Sequence, residues 1–123
     1  MMFEGEYAKL WIEDTILFIE YRSHLVLTKQ TAMEVLRSRL AFQRNQEYAV
    51  FCDPSGIVSA DTDALDYLSR EGTLLIKAVA FYTPSPLNIL LTEFFLETHR
   101  RRLPAGIFKH KIQALKFLKS HSQ

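Results

Sequence analysis

The chain has 123 residues, of which 48% are hydrophobic and 24% are charged, and its formal net charge is +1. This length is typical of one globular domain, and the composition argues against a disordered segment. Nucleic-acid-binding proteins usually carry a large basic excess, so the near-neutral charge argues against that class. The only cysteine, Cys52, excludes an internal disulfide.

The N-terminus and the most apolar stretch bear on where the protein acts. Glu4 and Glu6 stand where a signal peptide would carry basic residues followed by an apolar run. The most apolar stretch, Leu87 to Leu96, is interrupted by polar residues and is shorter than the ~20 residues that a membrane span needs. We therefore expect a cytoplasmic protein without an integral membrane segment.

The first third of the chain predicts a hairpin and a helix. The side chains of Glu6 to Ile12 alternate between two faces, as in a strand. Thr15 to Tyr21 is rich in β-branched and aromatic residues and predicts a second strand, and the short polar break between the two indicates a hairpin. A helix follows with Thr28 as its predicted N-cap. Its predicted apolar face consists of Ala32, Met33, Leu36, Leu40 and Ala41. Arg37, Arg39 and Arg44 are interpreted as cations that complement the helix dipole in its latter half.

The rest of the chain alternates between strands and helices. Continuous apolar runs predict strands buried on both faces at Tyr48 to Cys52 and Ala78 to Tyr82, with a short strand at Gly106 to Lys109. Apolar residues at helical spacing predict helices at Asp61 to Glu71, Leu87 to Thr98 and Lys111 to Ser120.

This order predicts an α/β fold, β-β-α-β-α-β-α-β-α, formed by residues 1–123 as one domain. Its sheet is expected to be mostly parallel and five-stranded, with one antiparallel edge strand and helices on both faces. In such sheets, binding sites form beyond the carboxyl ends of the strands. The polar residues expected there include Asp53, Ser55, Asp61, Thr62 and Asp63.

Simple structural roles explain most of these residues. Asp53 to Gly56 has the composition of a turn, and Asp61 or Ser59 is suited to cap the second helix. Ser85 is likewise suited to cap the third helix. A functional interpretation is compatible with capping: Asp61, Thr62 and Asp63 would form a phosphorylation switch or the docking site of a partner.

A second interpretation compares the chain with phosphoacceptor receiver domains. Asp53, Thr83 and Lys109 follow successive strands and have the residue types of that site. Receivers, however, have a magnesium-binding acidic pair after their first strand, and here the hairpin is followed by Ser23 and His24. The four histidines and Cys52 are too scattered for a zinc site, so we expect neither a metal nor another cofactor.

Two surface features remain. Arg100, Arg101 and Arg102 close the third predicted helix, and with Lys109 they form a candidate anion or membrane-surface patch. Trp11 shares its strand face with Lys9, which favours partial exposure. An exposed aromatic face or the very apolar third helix would suit a homodimer interface or a pocket for an apolar ligand.

The element order resembles the SpoIIAA-like, or STAS, superfamily over about residues 6 to 119. Three stretches are also similar to a family of small uncharacterised bacterial proteins with this fold. These are Ala78 to Phe81, Thr83 to Phe95, and Leu103-Pro104 followed by Ile107-Phe108 and Ala114 to Leu118. The resemblance implies a non-enzymatic regulatory module that binds a protein partner. A small-molecule or lipid carrier of the same fold, or a receiver-like domain using Asp53, remains as an alternative.

In antagonist proteins of this superfamily, a kinase phosphorylates one serine of an Asp-Ser-Ser-Gly motif at the start of a helix. The resemblance places Asp53 at the strand end and Asp61 at the motif's aspartate, with Thr62 and Asp63 on the two serines. Asp63 cannot accept a phosphate, which leaves Thr62 as the candidate acceptor. The resemblance thus implies partner docking through the second helix.

Overall fold

The structure is a computed structural model that describes residues 1–84 and 103–122. The predicted third helix from Leu87 to Thr98 and the cap residue Ser85 lie outside the described residues. Arg100, Arg101 and Arg102 of the predicted anion patch lie outside them as well.

The described strands form a six-stranded sheet with the order β1-β2-β3-β5-β7-β8 and a separate two-stranded sheet of β4 and β6, here called the mini-sheet. β1 and β2 pair antiparallel, as do β2 and β3, whereas β3, β5, β7 and β8 run parallel. The strands are β1 Met2–Glu4, β2 Ala8–Glu13, β3 Ile16–Tyr21, β4 Leu25–Leu27, β5 Tyr48–Asp53, β6 Ile57–Ala60, β7 Ile76–Tyr82 and β8 Ala105–Phe108.

The predicted α/β fold with a mostly parallel sheet is confirmed, but the predicted number of five strands is wrong. The main sheet has β1 as an additional antiparallel strand at its edge, and the mini-sheet was not predicted. β1 and β4 have three residues each and β6 has four. Segments of this length are too short to display the alternation that identifies a strand from sequence.

Three helices are described: α1 Lys29–Gln43, α2 Thr62–Glu71 and α3 Lys111–Ser120. Thr28 caps α1, because its side chain accepts a hydrogen bond from the backbone N–H of Thr31. Within the described ranges, no helix has the length and apolar character needed to cross a membrane.

The core lies on both faces of the main sheet, and β5 shows how it is divided. Val50 and Cys52 belong to a cluster on one face, with α1, α2 and the mini-sheet. Ala49 and Phe51 belong to a cluster on the other face, with Ala114 and Leu118 of α3. β5 is therefore buried on both sides, as its continuous apolar sequence predicts.

The buried face of α1 differs from the predicted one. It consists of Ala32, Val35, Leu36, Arg39 and Gln43, whereas Met33 and Ala41 are exposed. Arg39, interpreted from the sequence as a cation that complements the helix dipole, is buried in the structure and only 4% exposed. Its guanidinium donates hydrogen bonds to the carbonyls of Leu74 and Gly72 at 3.0 and 3.2 Å and to the side chain of Gln43. These bonds fasten α1 to the segment between α2 and β7.

Candidate functional site

Glu20 and Asp53 lie on neighbouring strands at the carboxyl ends of β3 and β5. Glu20 is the register partner of Asp53 in the parallel pair formed by these strands. Asp53 is half-buried, and its Oδ1 accepts a hydrogen bond from the backbone N–H of Ser55 at 3.0 Å. Both carboxylates border a polar cleft, whose other lining residues are Tyr21, Ser23, His24, Ser55, Gly56 and Val58.

The loop between β5 and β6 is a tight turn, as its sequence predicts. The N–H of Ile57 donates to the carbonyl of Pro54 at 3.0 Å, which closes the turn. A Cβ atom on Gly56 would lie 2.2 Å from the carbonyl oxygen of Arg22 and 2.5 Å from that of Tyr21. Only glycine therefore lets this loop pack against the backbone that follows β3.

The mini-sheet begins at this loop and presents two valines to solvent. Its inner side chains, Leu25, Leu27 and Ile57, are at most 8% exposed and fix it to the core. Val26 and Val58, in contrast, are 55% and 61% exposed. The register shifts between Leu25 and Val26, which pair with Ile57 and Ser59, so Val58 is the extra residue of a bulge. The two valines thus lie on the solvent side of the mini-sheet.

The N-terminus of α2 follows the mini-sheet directly. Asp61, one of the two predicted candidates, is the N-cap, because its Oδ1 accepts a hydrogen bond from the N–H of Ala64 at 2.8 Å. Its own N–H donates to the carbonyl of Leu27 at 3.1 Å, which ties the cap to the mini-sheet. Thr62 and Asp63 lie in the first turn of α2 and are exposed. The hydroxyl and the fixed negative charge are both available to a partner.

Asp61 also faces the beginning of α1 across an open groove. The groove is bordered by Asp61 and by Thr28, Lys29, Gln30, Met33, Glu34 and Arg37. Cations and carboxylates alternate there, and Met33 adds exposed apolar surface. The groove extends the surface of the mini-sheet towards α1.

The residues predicted to form one docking site therefore lie in two groups joined by the mini-sheet. Asp53 and Ser55 lie before β6, whereas Asp61, Thr62 and Asp63 lie after it. We call these five residues together with Val26 and Val58 the docking surface. The sequence interpretation missed the valines at its centre and Glu20 and His24 at the cleft.

Thr83 and Lys109 follow β7 and β8, so the strand order places them at the same sheet edge as Asp53. The N–H of Thr83 donates to the carbonyl of Phe108 at 2.9 Å. Its hydroxyl is buried and has no hydrogen-bond partner among residues 1–84 and 103–122. Lys109 is exposed, and neither residue lines the cleft at Asp53.

Near this edge, a row of aromatic side chains crosses the face of the main sheet that packs against α3. Trp11 stacks on Phe18, Phe18 contacts Phe51, and Phe51 contacts Tyr82, with ring centroids 5.1 to 5.5 Å apart. Lys111 places its Nζ 6.0 Å from the centroid of the Phe51 ring. A small pocket of about 70 Å³ lies along this row, and Glu20 and Asp53 also border it. Trp11 is half-buried, in agreement with its predicted partial exposure.

Burial determines the protonation of two side chains behind the cleft. Burial raises the pKa of the Cys52 thiol well above its ordinary range, and the nearby Asp53 raises this pKa further. Burial also raises the pKa of Tyr21. Both groups are therefore neutral at physiological pH, and the thiol lacks the thiolate character of a reactive cysteine.

A metal site in the cleft would need several ligand side chains placed around one point. Among the residues that the structure describes, no three His, Cys, Asp or Glu side chains are placed to hold a metal ion. The pair formed by Glu20 and Asp53 offers two carboxylates only.

Comparison with protein families identifies a family model that covers most of the chain. A family described as a domain of unknown function, DUF7793, matches residues 10–122. The chain belongs to the DUF7793 family. No curated protein matches this DUF7793 chain.

Comparison with solved structures identifies the fold. The DUF7793 chain is similar to the crystal structure of an uncharacterised protein from Shewanella loihica, a member of the DUF3478 family with a SpoIIAA-like fold. The TM-score is 0.60 at 17% sequence identity, and the match covers 96% of this chain and 99% of the other. The expected SpoIIAA-like fold is therefore confirmed.

Proposed function

We propose that this protein is a non-enzymatic regulatory or protein-interaction module of SpoIIAA-like type. It acts in the cytoplasm and binds a protein partner through the docking surface, which consists of the loop after β5, the mini-sheet and the N-terminus of α2. The observation that carries the proposal is the exposure of Val26 and Val58 on a strand pair whose inner side chains, Leu25, Leu27 and Ile57, are buried. Exposed apolar residues at fixed positions, surrounded by polar residues, are typical of interaction sites.

The charges around the valines support the proposal and indicate the partner's chemistry. Asp53, Asp61 and Asp63 lie shortly before and after β6 in the sequence, and Arg22 and Lys29 are the cations on either side of β4. A partner surface with an apolar centre and a predominantly basic rim would complement this arrangement. Binding energy would be concentrated at the valines, because charged groups at a wet rim contribute mainly to orientation and association rate.

The chemistry of the α2 N-terminus bears on regulation. Asp61 is engaged in capping, Thr62 is the hydroxyl of the first turn, and Asp63 supplies a permanent negative charge. A phosphate on Thr62 would add negative charge close to Asp61 and Asp63, where repulsion opposes the favourable helix dipole. We therefore propose constitutive docking at this surface, with Thr62 as a contact residue.

Affinity capture with three purified baits tests the proposal. The baits are the wild type, Val26→Ser/Val58→Ser and Leu74→Ser, each incubated with a lysate of the cells that produce the protein. Leu74 is 46% exposed in the segment before β7 and serves as the matched apolar control. We expect at least one protein to bind the wild type and Leu74→Ser while losing most of its binding to the double variant. The proposal is wrong if no specific protein is captured, or if every captured protein is retained by Val26→Ser/Val58→Ser.

The aromatic row favours a second candidate function, the binding of a small apolar molecule. Its pocket, bordered by Trp11, Phe18, Phe51 and Tyr82, has aromatic walls and a cation, Lys111. The volume of about 70 Å³ is small compared with the roughly 300 to 1,000 Å³ of typical ligand pockets. We therefore rank this function second.

Native mass spectrometry of gently purified protein tests this second function. Binding at the aromatic row predicts an additional mass that is lost in Trp11→Ala and retained in Val26→Ser/Val58→Ser. Only the unmodified mass of the chain, in every preparation, would exclude a resident ligand. The same spectrum reports whether the chain forms a homodimer.

A further inference from the structure

The charge of the chain is distributed very unevenly. Residues 99–123 contain seven lysines and arginines and no aspartate or glutamate. The remaining residues, 1–98, contain eight basic and fourteen acidic side chains. A chain with a net charge of +1 is therefore strongly basic at its C-terminal end and acidic elsewhere.

The structure places part of this basic segment on the outer face of α3. Ala114 and Leu118 are buried against the main sheet. Ile112, Lys116 and Lys119 are exposed and follow one another at spacings of four and three residues, so they form one stripe along the helix. Lys109 is exposed immediately before the helix.

An isoleucine lies within this cationic stripe. Ile112 is 69% exposed, and among the large apolar residues that the structure describes only Met1 is more exposed. Lys111 is not part of the stripe, because its ammonium group lies over Phe51 and borders the pocket at Glu20 and Asp53. The outer face of α3, together with Lys109 just before the helix, thus combines three exposed lysines with one apolar side chain. We call Lys109, Ile112, Lys116 and Lys119 the α3 face.

We propose that the α3 face binds the surface of membranes that contain anionic phospholipids. The three ammonium groups complement the negative headgroups, and Ile112 enters the boundary between headgroups and acyl chains. The long alkyl stems of the lysines allow their charges to remain in the headgroup layer while the helix lies flat. Binding is peripheral and reversible, because α3 keeps its other face on the sheet.

Two observations favour a membrane over other polyanions. A nucleic acid would neutralise the lysines but would leave Ile112 in water, because contacts to the phosphate backbone are made by charged and polar groups. The uneven charge distribution also orients the molecule at a membrane, because the acidic remainder of the chain is repelled from the anionic surface. The valines of the docking surface lie on the mini-sheet, which packs on the opposite face of the main sheet, so they need not be occupied for this binding.

Sedimentation with lipid vesicles tests the proposal. The full chain is mixed with vesicles of phosphatidylcholine alone and with vesicles that also contain phosphatidylglycerol. We expect binding only to the anionic vesicles and a steep loss with added salt. The variant Lys116→Gln/Lys119→Gln is expected to lower the partition coefficient roughly 25-fold, since one lysine near an anionic surface changes binding about five-fold.

Two further variants separate the contributions. Lys29→Gln/Arg37→Gln removes two exposed cations on α1 and is expected to bind the anionic vesicles nearly as well as the wild type. Ile112→Ser is expected to weaken vesicle binding while leaving the binding of soluble polyglutamate unchanged. All substituted positions except Lys29 and Arg37 are on the α3 face, and circular dichroism verifies that each variant folds.

Three results would overturn the proposal. These are the absence of binding to anionic vesicles at low salt, equal binding to both kinds of vesicle, and full binding by Lys116→Gln/Lys119→Gln. Binding of polyglutamate without binding of vesicles would assign the α3 face to an acidic protein and would likewise refute a membrane role.

Discussion

Arg39 and Gln43 lie one turn apart on the buried face of α1, and the guanidinium of Arg39 donates a hydrogen bond to the side-chain carbonyl of Gln43. Gln43 in turn donates to the carbonyls of Gln46 and Leu75 at 3.0 and 2.9 Å. No carboxylate takes part in these bonds. The two side chains thus use backbone carbonyls to join α1 to the segments that lead into β5 and β7.

We predict that Arg39→Ala is strongly destabilising. The substitution leaves the carbonyls of Gly72 and Leu74 without their donor and opens a cavity, which together should lower the free energy of unfolding by about 3 kcal/mol. Urea denaturation measures the loss. Arg37→Ala, two residues earlier and exposed, is the control and should change stability by less than about 0.5 kcal/mol. Equal effects of the two substitutions would contradict the structural role of Arg39.

Stability should fall in mildly alkaline solution because Cys52 must remain protonated in the folded state. In the unfolded chain the thiol ionises near its ordinary pKa of 9.0, whereas burial raises the pKa in the fold. Above about pH 9 the unfolded state therefore holds fewer protons, and the free energy of unfolding decreases as the pH rises. Tyr21 contributes in the same direction from its ordinary pKa of 10.0 upwards.

Urea denaturation of wild type and Cys52→Ala between about pH 7 and about pH 10 measures this contribution. Cys52→Ala is expected to be less stable at neutral pH but to lose less stability between pH 9 and 10. The pH range ends at about 10 because burial lowers the pKa of Arg39 to about 10. Above that pH, Arg39 loses its proton more readily in the fold than in the unfolded chain, so the free energy of unfolding increases as the pH rises. Parallel pH profiles for the two proteins would show that the thiol does not ionise on unfolding in this range.

Gly56 should be essential for the position of the mini-sheet. Gly56→Ala brings a methyl group against the backbone of Arg22, so we expect a loss of about 2 to 3 kcal/mol in urea denaturation. Gly106→Ala is the control, since its new Cβ would meet the side-chain ring of Phe108 at 3.0 Å, and a side chain yields more easily than backbone. A tolerated Gly56→Ala would show that the loop does not need this close approach.

Asp61 is predicted to have two separable roles. Asn and Asp cap helices about equally well, so Asp61→Asn should retain stability, whereas Asp61→Ala should cost about 1 kcal/mol. If the charge of Asp61 contributes to docking, Asp61→Asn should weaken binding of the captured partner despite its normal stability. Thermal unfolding and binding assays on the same preparations separate the two effects. Unchanged binding by Asp61→Asn would restrict Asp61 to capping.

The parts of the fold that depend on local pattern could be predicted from the sequence. β5 and β7 are continuous apolar runs, and the side chains of Thr28 and Asp61 cap helices because of their chemistry. The mini-sheet could not be predicted in this way, since three or four residues such as Leu25–Leu27 do not display a period. Its pairing with β6 depends on contacts between segments about thirty residues apart in the sequence.

The same limit applies to the candidate site. Asp53, Ser55 and Asp61 were predicted because turns and helix starts have recognisable compositions. Glu20 was missed because its position opposite Asp53 follows from the register of two strands. Val26 and Val58 are exposed although apolar residues are expected to be buried, and Arg39 is buried although charged residues are expected to be exposed. Such positions require the tertiary structure.

Hydrogen exchange of the full chain, alone and with a captured partner, tests the central claim most directly. Docking at the proposed surface predicts slower exchange in β4 and in the segment from Ser55 to Asp63. The segment from Lys111 to Ser120 should be unaffected. Protection confined to other parts of the chain, or no protection in a complex that demonstrably forms, would contradict docking through Val26 and Val58.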